Sequence, residues 1–420
     1  MFINQFPGAK PRFFYGYIVV FVAFFLMAIM WGTLQSFGVF LKPLSTELGW
    51  TRAMVSAAYS LSFIVFGLIT VVAGKLCDRF GPRMLLTICG LLFGSGYLLV
   101  SQVGTIWQLY LLYGLPIGIG MSGSMAPLTS TVARWFTKNR GLMIGITVSG
   151  IGVGLLVVPP LATFLMINHG WRTTYLLLGI IILALILPLA QFLRRDPSQI
   201  GQLPYGDREL QGISDLYQKG FSLKEAIHTQ QFWIVEIVLF FYALMVGIIM
   251  VHIVPHAIGL GLSASGAAVI LAVIGGFSTG SRVITGSTGD RIGYKPVLII
   301  CFTSISISLF LLLVAKDSWM LYLFACMFGL GQGGGISLIS PLVAELFGLD
   351  SLGIIFGVIM IGGTTGMAIS PVIAGHMFDT MGSYNLIFII NAGISIIALL
   401  LLLLLKPTSR MTVGLARRHN

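Results

Sequence analysis

The sequence predicts an all-α polytopic membrane protein, with twelve transmembrane helices arranged as two six-helix pseudo-symmetric bundles. Three observations carry this prediction. Of 420 residues, 57% are hydrophobic and 9% are charged, against about 25% charged in ordinary globular chains. Apolar runs of about 20 residues recur along the whole chain, each long enough to cross a hydrocarbon core about 30 Å thick. The second half repeats the glycine and charge pattern of the first at an offset of 212 residues. A surface this poor in charge cannot stay hydrated, so the composition excludes a soluble enzyme and a nucleic-acid partner and makes the lipid bilayer the chain's solvent.

Polar breaks divide the apolar runs into spans over 16–41, 54–74, 84–102, 107–133, 141–167 and 172–193, then 231–257, 264–288, 296–315, 318–344, 353–377 and 383–405. Lys10 and Arg12 precede the first run, which continues past Leu41 without a small-residue cleavage site. It reads as a retained helix rather than a signal peptide. The one long polar segment, Arg194 to Gln230, holds Pro197, Pro204, Gly206 and eight charges from Asp196 to Glu225, beyond Arg194 and Arg195 themselves. The domain reading is therefore an N-terminal bundle over 1–193, a cytoplasmic linker over 194–230 and a C-terminal bundle over 231–420. Cys77, Cys89, Cys301 and Cys326 have no metal-ligand spacing and no extracytoplasmic pairing, which predicts four free thiols.

Positive charge concentrates in cytoplasmic loops, so the Lys and Arg count tests the orientation. Nineteen fall on one side; Lys42, Arg52, Arg172 and Lys316 fall on the other, and Arg282 lies within a span. This predicts cytoplasmic termini. Short extracytoplasmic loops, the lack of a glycosylation context and a short tail favour the prokaryotic inner membrane, and a monomer is the expected functional unit.

Gly74-Lys75-Leu76-Cys77-Asp78-Arg79-Phe80-Gly81-Pro82-Arg83 follows span 2, and Gly286-Ser287-Thr288-Gly289-Asp290-Arg291-Ile292-Gly293-Tyr294-Lys295 follows span 8. At the same offset, Gly141, Gly145, Gly150 and Gly154 of span 5 match Gly353, Gly357, Gly362 and Gly366 of span 11. Each set holds two small-xxx-small pairs nine residues apart, which places them on nearly opposite helix faces. Spans 5 and 11 are expected to be approached closely on both sides. Duplication in one orientation is the pattern of transporters built from parallel repeats.

The two charged segments resemble the signature that members of the major facilitator superfamily carry after helix 2 and, more weakly, after helix 8. The resemblance implies the major facilitator fold, with Asp78, Arg79, Arg83, Asp290 and Arg291 gating the cytoplasmic side. Within that superfamily the chain is similar to the monocarboxylate porter family and its bacterial oxalate/formate-antiporter-like relatives. Trp135-Phe136-Thr137-Lys138-Asn139-Arg140-Gly141-Leu142 resembles the family's YFxKRRxLAxG signature. Phe14-Tyr15-Gly16-Tyr17 resembles its [DE]G[GS][WF][GA]W motif, with the acid and a tryptophan missing.

Arg282 lies eight residues before Asp290, about 12 Å into the membrane at 1.5 Å per residue. A midplane charge must face a cavity or a partner, and a guanidinium grips a carboxylate bidentately. The family places its substrate-binding arginine in helix 8, so the resemblance implies a small monocarboxylate anion such as lactate or pyruvate, carried with a proton. Mammalian members place an aspartate one turn earlier and a lysine in helix 1, where this chain has Ser278 and Gln35. Proton coupling is then expected to rest elsewhere, with His252 and Glu236 as candidates; both are read as lying toward a membrane interface. Oxalate exchangers add a helix 11 lysine, and Ile359 stands there. Gln35, Ser36, Ser122, Ser149, Tyr242, Gln332, Phe356, Thr364 and Thr365 are candidate cavity residues, with Gln332 inside a glycine run expected to make its helix deformable. An organic-anion exchanger, a transporter of a larger carboxylate and a non-transporting sensor are the alternatives. No phosphate-binding glycine loop, metal cluster or nucleophile motif stands out, so neither an enzyme nor a cofactor is expected.

Overall fold

The computed structural model describes residues 14–206, 221–348 and 352–406, apart from the side chains of Val71, Asp78 and Leu352. Several linker charges (Asp207, Arg208, Glu209, Asp215 and Lys219) therefore lie outside the described residues. The spans are α1 (Gly16–Leu48), α2 (Arg52–Phe80), α3 (Pro82–Val100), α4 (Ile106–Trp135), α5 (140–169) and α6 (171–191). The second half holds α7 (Gln230–Gly259), α8 (Ala264–Ile292), α9 (Tyr294–Val314), α10 (Ser318–Phe347), α11 (Leu352–Met381) and α12 (Asn385–Leu404). Helix α5 runs into α6 with one break at Gly170, where φ is 77° and ψ 165°.

Local chemistry sets the helix ends. Thr51, Thr229 and Ser263 accept main-chain N–H groups at the starts of α2, α7 and α8, satisfying donors that have no intrahelical partner. Gly81 and Gly293 end α2 and α8 at φ of 85° and 91°, angles that side chains with a Cβ disfavour. They are equivalent positions of the two repeats. Three interruptions of the first half have no counterpart in the second, where α7 and α10 are continuous. Helix α1 breaks at Ser36, and α4 contains a π turn over Tyr110–Gly114 and a second break before Ala126. Pro116 and Pro127, which lack an N–H, sit just beyond these two breaks in α4.

Within the first half α1 packs on α5, α2 on α4 and α3 on α6; within the second, α7 packs on α11 and α9 and α8 on α10. The halves meet through α5 with α8, α2 with α11, and the later part of α1 with α7. A Cβ at Gly150 would fall 2.2 Å from the Phe24 carbonyl oxygen, and one at Gly154 2.0 Å from that of Ala28. Gly362 and Gly366 close in the same way on Glu236 and Phe240. Both partners are offset by 212, so the repeat extends to α1 and α7. The same relation holds across the halves: Gly152 faces Thr279, and Gly67 faces Thr364.

The expectation that the whole glycine set packs tightly needs correction. Gly141, Gly145, Gly353 and Gly357 have nothing within 4 Å of a built Cβ, as do Gly74 and Gly286. Those positions all lie at the end of the bundle that carries the linker, the linker end. At the opposite, far end the halves touch, with Gly38 against Met250 and Val251 and Gly375 against Arg52 and Ala53. The two halves thus diverge toward the linker and close away from it. Small-xxx-small spacing therefore does not by itself bring a neighbour close: Gly150 and Gly154 are met by α1 of their own half, and Gly141 and Gly145 have nothing within 4 Å.

The described part of the linker is docked rather than loose. The Tyr205 N–H donates to the Trp135 carbonyl at 2.9 Å, and the Tyr205 carbonyl accepts from Thr137 and Lys138 at 3.0 Å. Phe14 lies 5.8, 5.4 and 5.7 Å, centroid to centroid, from Trp135, Phe136 and Tyr205. The two signature motifs and the linker thus form one aromatic cluster. Tyr205→Ala is expected to cost about 1 kcal/mol of stability, the worth of such ring contacts, and thermal unfolding in detergent measures it.

Candidate functional site

Arg282 sits in α8 where the halves begin to diverge. It is 5% exposed, and its Nη1–H donates across the interface to the Val148 carbonyl of α5 at 2.7 Å. Its Nε has no hydrogen-bond partner. Among the described residues no carboxylate forms an ion pair with it. Withdrawing a guanidinium from water costs several kcal/mol unless an opposite charge compensates it. The arrangement therefore suits a bound anion between the halves.

Other buried polar atoms without a protein partner are Ser278 Oγ, one turn before Arg282 in α8, and Gln332 Oε1 in α10, with Trp31 Nε1 and Gln35 Oε1 of α1 further toward the far end, where Gly32 meets Gly154. Tyr242 of α7 donates its hydroxyl to the Gln332 carbonyl at 2.6 Å, within electrostatic reach of Arg282. The glycine run around Gln332 stays helical and seats its neighbours closely, with Gly333 against Ser278 and Gly334 against Ser281 and Cys301. Replacing Tyr242 by Phe removes the bond that ties α7 to α10 at this carbonyl. About 1–2 kcal/mol of stability is expected to go, again read as a lower unfolding temperature.

Several predicted residues bond locally. The hydroxyls of Ser149 and Ser122 donate to Ile146 and Ile119 of their own helices, and Ser36 to Gly32. Thr364 bonds its own helix and touches Gly67, whereas Thr365 is exposed on the stripe of Ile361 and Ile369. Phe356 is half-buried in α11, and Ile359 is fully buried.

The two proton candidates depart from the interfacial reading. His252 is fully buried, with Nε2 2.8 Å from the Pro371 carbonyl and Nδ1 3.0 Å from the Tyr384 hydroxyl. Helix packing between α7 and α11 rather than depth along the chain determines this. Glu236 is packed against Gly362 of α11, and its Oε2 is buried without a partner. It is not the solvated carboxylate that its position near the start of α7 suggested.

In the predicted gate, Arg79 and Arg291 are exposed, Arg83 is half-buried, and Asp290 accepts the Tyr294 hydroxyl at 2.7 Å. The Asp78 side chain lies outside the described residues. Sequence reasoning missed Asp379 and Tyr384 and counted Arg52 only as a far-side charge. The Arg52 and Ala53 N–H groups donate to Asp379 at 2.9 and 2.8 Å, and Arg52 Nη1 donates to the Tyr384 hydroxyl. The available signal was an acid at the far end of α11, with no repeat counterpart.

The profile of the Major Facilitator Superfamily matches residues 19–292 and, in a second alignment, 260–418. Human monocarboxylate transporter 11 is 26% identical over 407 residues, covering 92% of this chain and 82% of that protein. Monocarboxylate transporter 13 of Rattus norvegicus is 28% identical over 392 residues, covering 91% and 87%. The oxalate:formate antiporter of Oxalobacter formigenes is 30% identical over 282 residues, covering 66% and 65%. Together with the helical fold and its two meeting halves, these matches make the chain a membrane transporter and not an enzyme. It belongs to the Major Facilitator Superfamily, among that superfamily's monocarboxylate-transporter-like members.

Proposed function

We propose that this chain is a secondary active transporter of small monocarboxylates, lactate or pyruvate in kind, coupled to a proton and working by alternating access around Arg282. The observation that carries the reading is the buried guanidinium between the halves, bonded to one carbonyl and, among the described residues, to no carboxylate. A small carboxylate supplies the missing charge and accepts from the unpaired Nε–H. Gln35, Gln332, Tyr242, Ser149 and Phe356 complete the binding region. Glu236 and His252 are the proton candidates, since Ser278 and Gln35 cannot ionise at physiological pH. The domains run 1–193 and 231–420, joined by a cytoplasmic linker over 194–230, with the protein a monomer in a prokaryotic inner membrane. On this reading both termini and the linker end are cytoplasmic, the conformation described is open to the cytoplasm, and Asp78, Arg79, Arg83, Asp290 and Arg291 latch that end when it closes.

A second reading, exchange of organic anions including dicarboxylates, is favoured by the similarity to the oxalate:formate antiporter. One buried cation suits one negative charge, which makes a monocarboxylate the better match. Uptake of labelled L-lactate into proteoliposomes under an inward proton gradient tests the proposal. Gradient-driven accumulation is expected, with pyruvate competing more strongly than oxalate. Accumulation only against a preloaded anion, indifferent to the gradient, would select exchange.

A further inference from the structure

The far end of the interface carries a hydrogen-bond chain through four helices that the binding region does not use. Asp379 of α11 accepts from the Arg52 and Ala53 N–H groups at 2.9 and 2.8 Å, so its carboxylate caps the first turn of α2 in the other half. Gly375, one turn earlier, allows this approach, because a Cβ there would lie 2.7 Å from the Ala53 nitrogen. The Arg52 guanidinium stacks 3.5 Å from the Phe378 ring centroid and donates to the Tyr384 hydroxyl. Tyr384 in turn meets His252, and His252 meets Pro371.

The donors and acceptors give this chain one direction. A carbonyl only accepts, so His252 Nε2 carries the proton that faces Pro371. A guanidinium only donates, so the Tyr384 oxygen accepts from Arg52 and turns its own proton to His252 Nδ1. The closed chain is complete with a neutral imidazole in the Nε2–H form. A second proton, on Nδ1, would set two cationic donors against one hydroxyl oxygen and leave the tyrosine proton without an acceptor.

The surroundings add little to offset that mismatch. Facing His252 are Arg52 from α2, Asp379 from α11 and Tyr384 at the start of α12. His256, one turn along α7, stacks near Tyr384 and Phe388. Both Asp379 oxygens already accept N–H groups of α2. On the part of α1 that packs against α7, Lys42 is exposed and Glu47 is engaged by Trp171 and Arg172.

We propose that Arg52, Asp379, Tyr384 and His252 form the outer gate of the transporter, a latch that closes only around uncharged His252, so that acid on the far side holds the halves apart there. The proposal rests on the alternating-access reading but on no particular substrate. It makes His252 a sensor of far-side protons and leaves Glu236 as the candidate for carrying one through.

The test is a distance measurement rather than a transport assay, so a wrong substrate cannot obscure it. Spin labels at Gly104 and Lys316, one in each half's far-end loops, are read by double electron–electron resonance in lipid nanodiscs. The four native cysteines are replaced in all proteins. Between pH 7.5 and pH 5.5 the longer-distance population of the otherwise native protein is expected to rise at least threefold, and His252→Gln is expected not to respond. Asp379→Asn should hold the far end open at both values. An unchanged native distribution, or an equal acid shift in His252→Gln, would overturn the latch. If His252→Gln does not elute as native, Tyr384→Phe decides: a preserved acid response also overturns it, and a lost one supports it.

Discussion

Arg282→Ala is expected to reduce gradient-driven uptake by roughly 100-fold, because a hydrogen bond to a charged group contributes about 1.5–3 kcal/mol and each 1.4 kcal/mol is about tenfold. Arg282→Lys keeps the charge but loses the planar fork, so about a tenfold loss is expected there. The stability readout should move the other way. Alanine removes a buried cation whose one hydrogen-bond partner among the described residues is a carbonyl, so the unfolding temperature should stay level or rise. Uptake by Arg282→Ala at the native rate would exclude the guanidinium as the substrate anchor. A loss of both uptake and stability would make its bond to Val148 a structural strut instead.

Gly154→Val and Gly152→Val are expected to fail in different ways, although the residues are two positions apart on α5. At Gly154 the added carbon meets the Ala28 carbonyl of the same half at 2.0 Å. The α1–α5 pair must then separate, and overpacking of this kind costs about 1–3 kcal/mol or more, read as a lower unfolding temperature and poor recovery of monodisperse protein. At Gly152 the carbon meets Thr279 Oγ1 at 2.2 Å and the Gly275 carbonyl at 2.7 Å, both in the other half. Each bundle remains intact, but the far end cannot close. Thiol-reagent access to a cysteine introduced at Gly275's neighbour Ile274 should rise in Gly152→Val while the unfolding temperature changes little. Gly145→Val, with nothing within 4 Å, serves as the control and should leave both readings near native. Equal destabilisation by Gly152 and Gly154 substitutions would show that the halves do not move as separate bodies.

Much of this protein was legible in its sequence, because the bilayer poses a local question. Whether a stretch of about 20 residues is apolar decides whether it spans, and a window answers that for each helix, including the turn at Gly170 that joins α5 to α6. The 212-residue offset is also a property of the string, as is the single charge of Arg282 within an otherwise uncharged span. What the string could not decide was which faces of twelve similar helices meet. Gly150 and Gly154 look like Gly141 and Gly145 in sequence, yet only the first pair is packed, because α1 of the same half closes on α5 at Phe24 and Ala28 while nothing lies within 4 Å of the second pair. Glu236 and His252 read as interfacial from their depth along α7, but α11 covers both. The Arg52–Asp379 contact joins residues 327 apart, and neither residue carries a pattern that names the other. Hydropathy is additive along a segment and so is readable locally. Contact between segments depends on the shapes and donors of two distant surfaces at once, and only the assembled bundle brings those together.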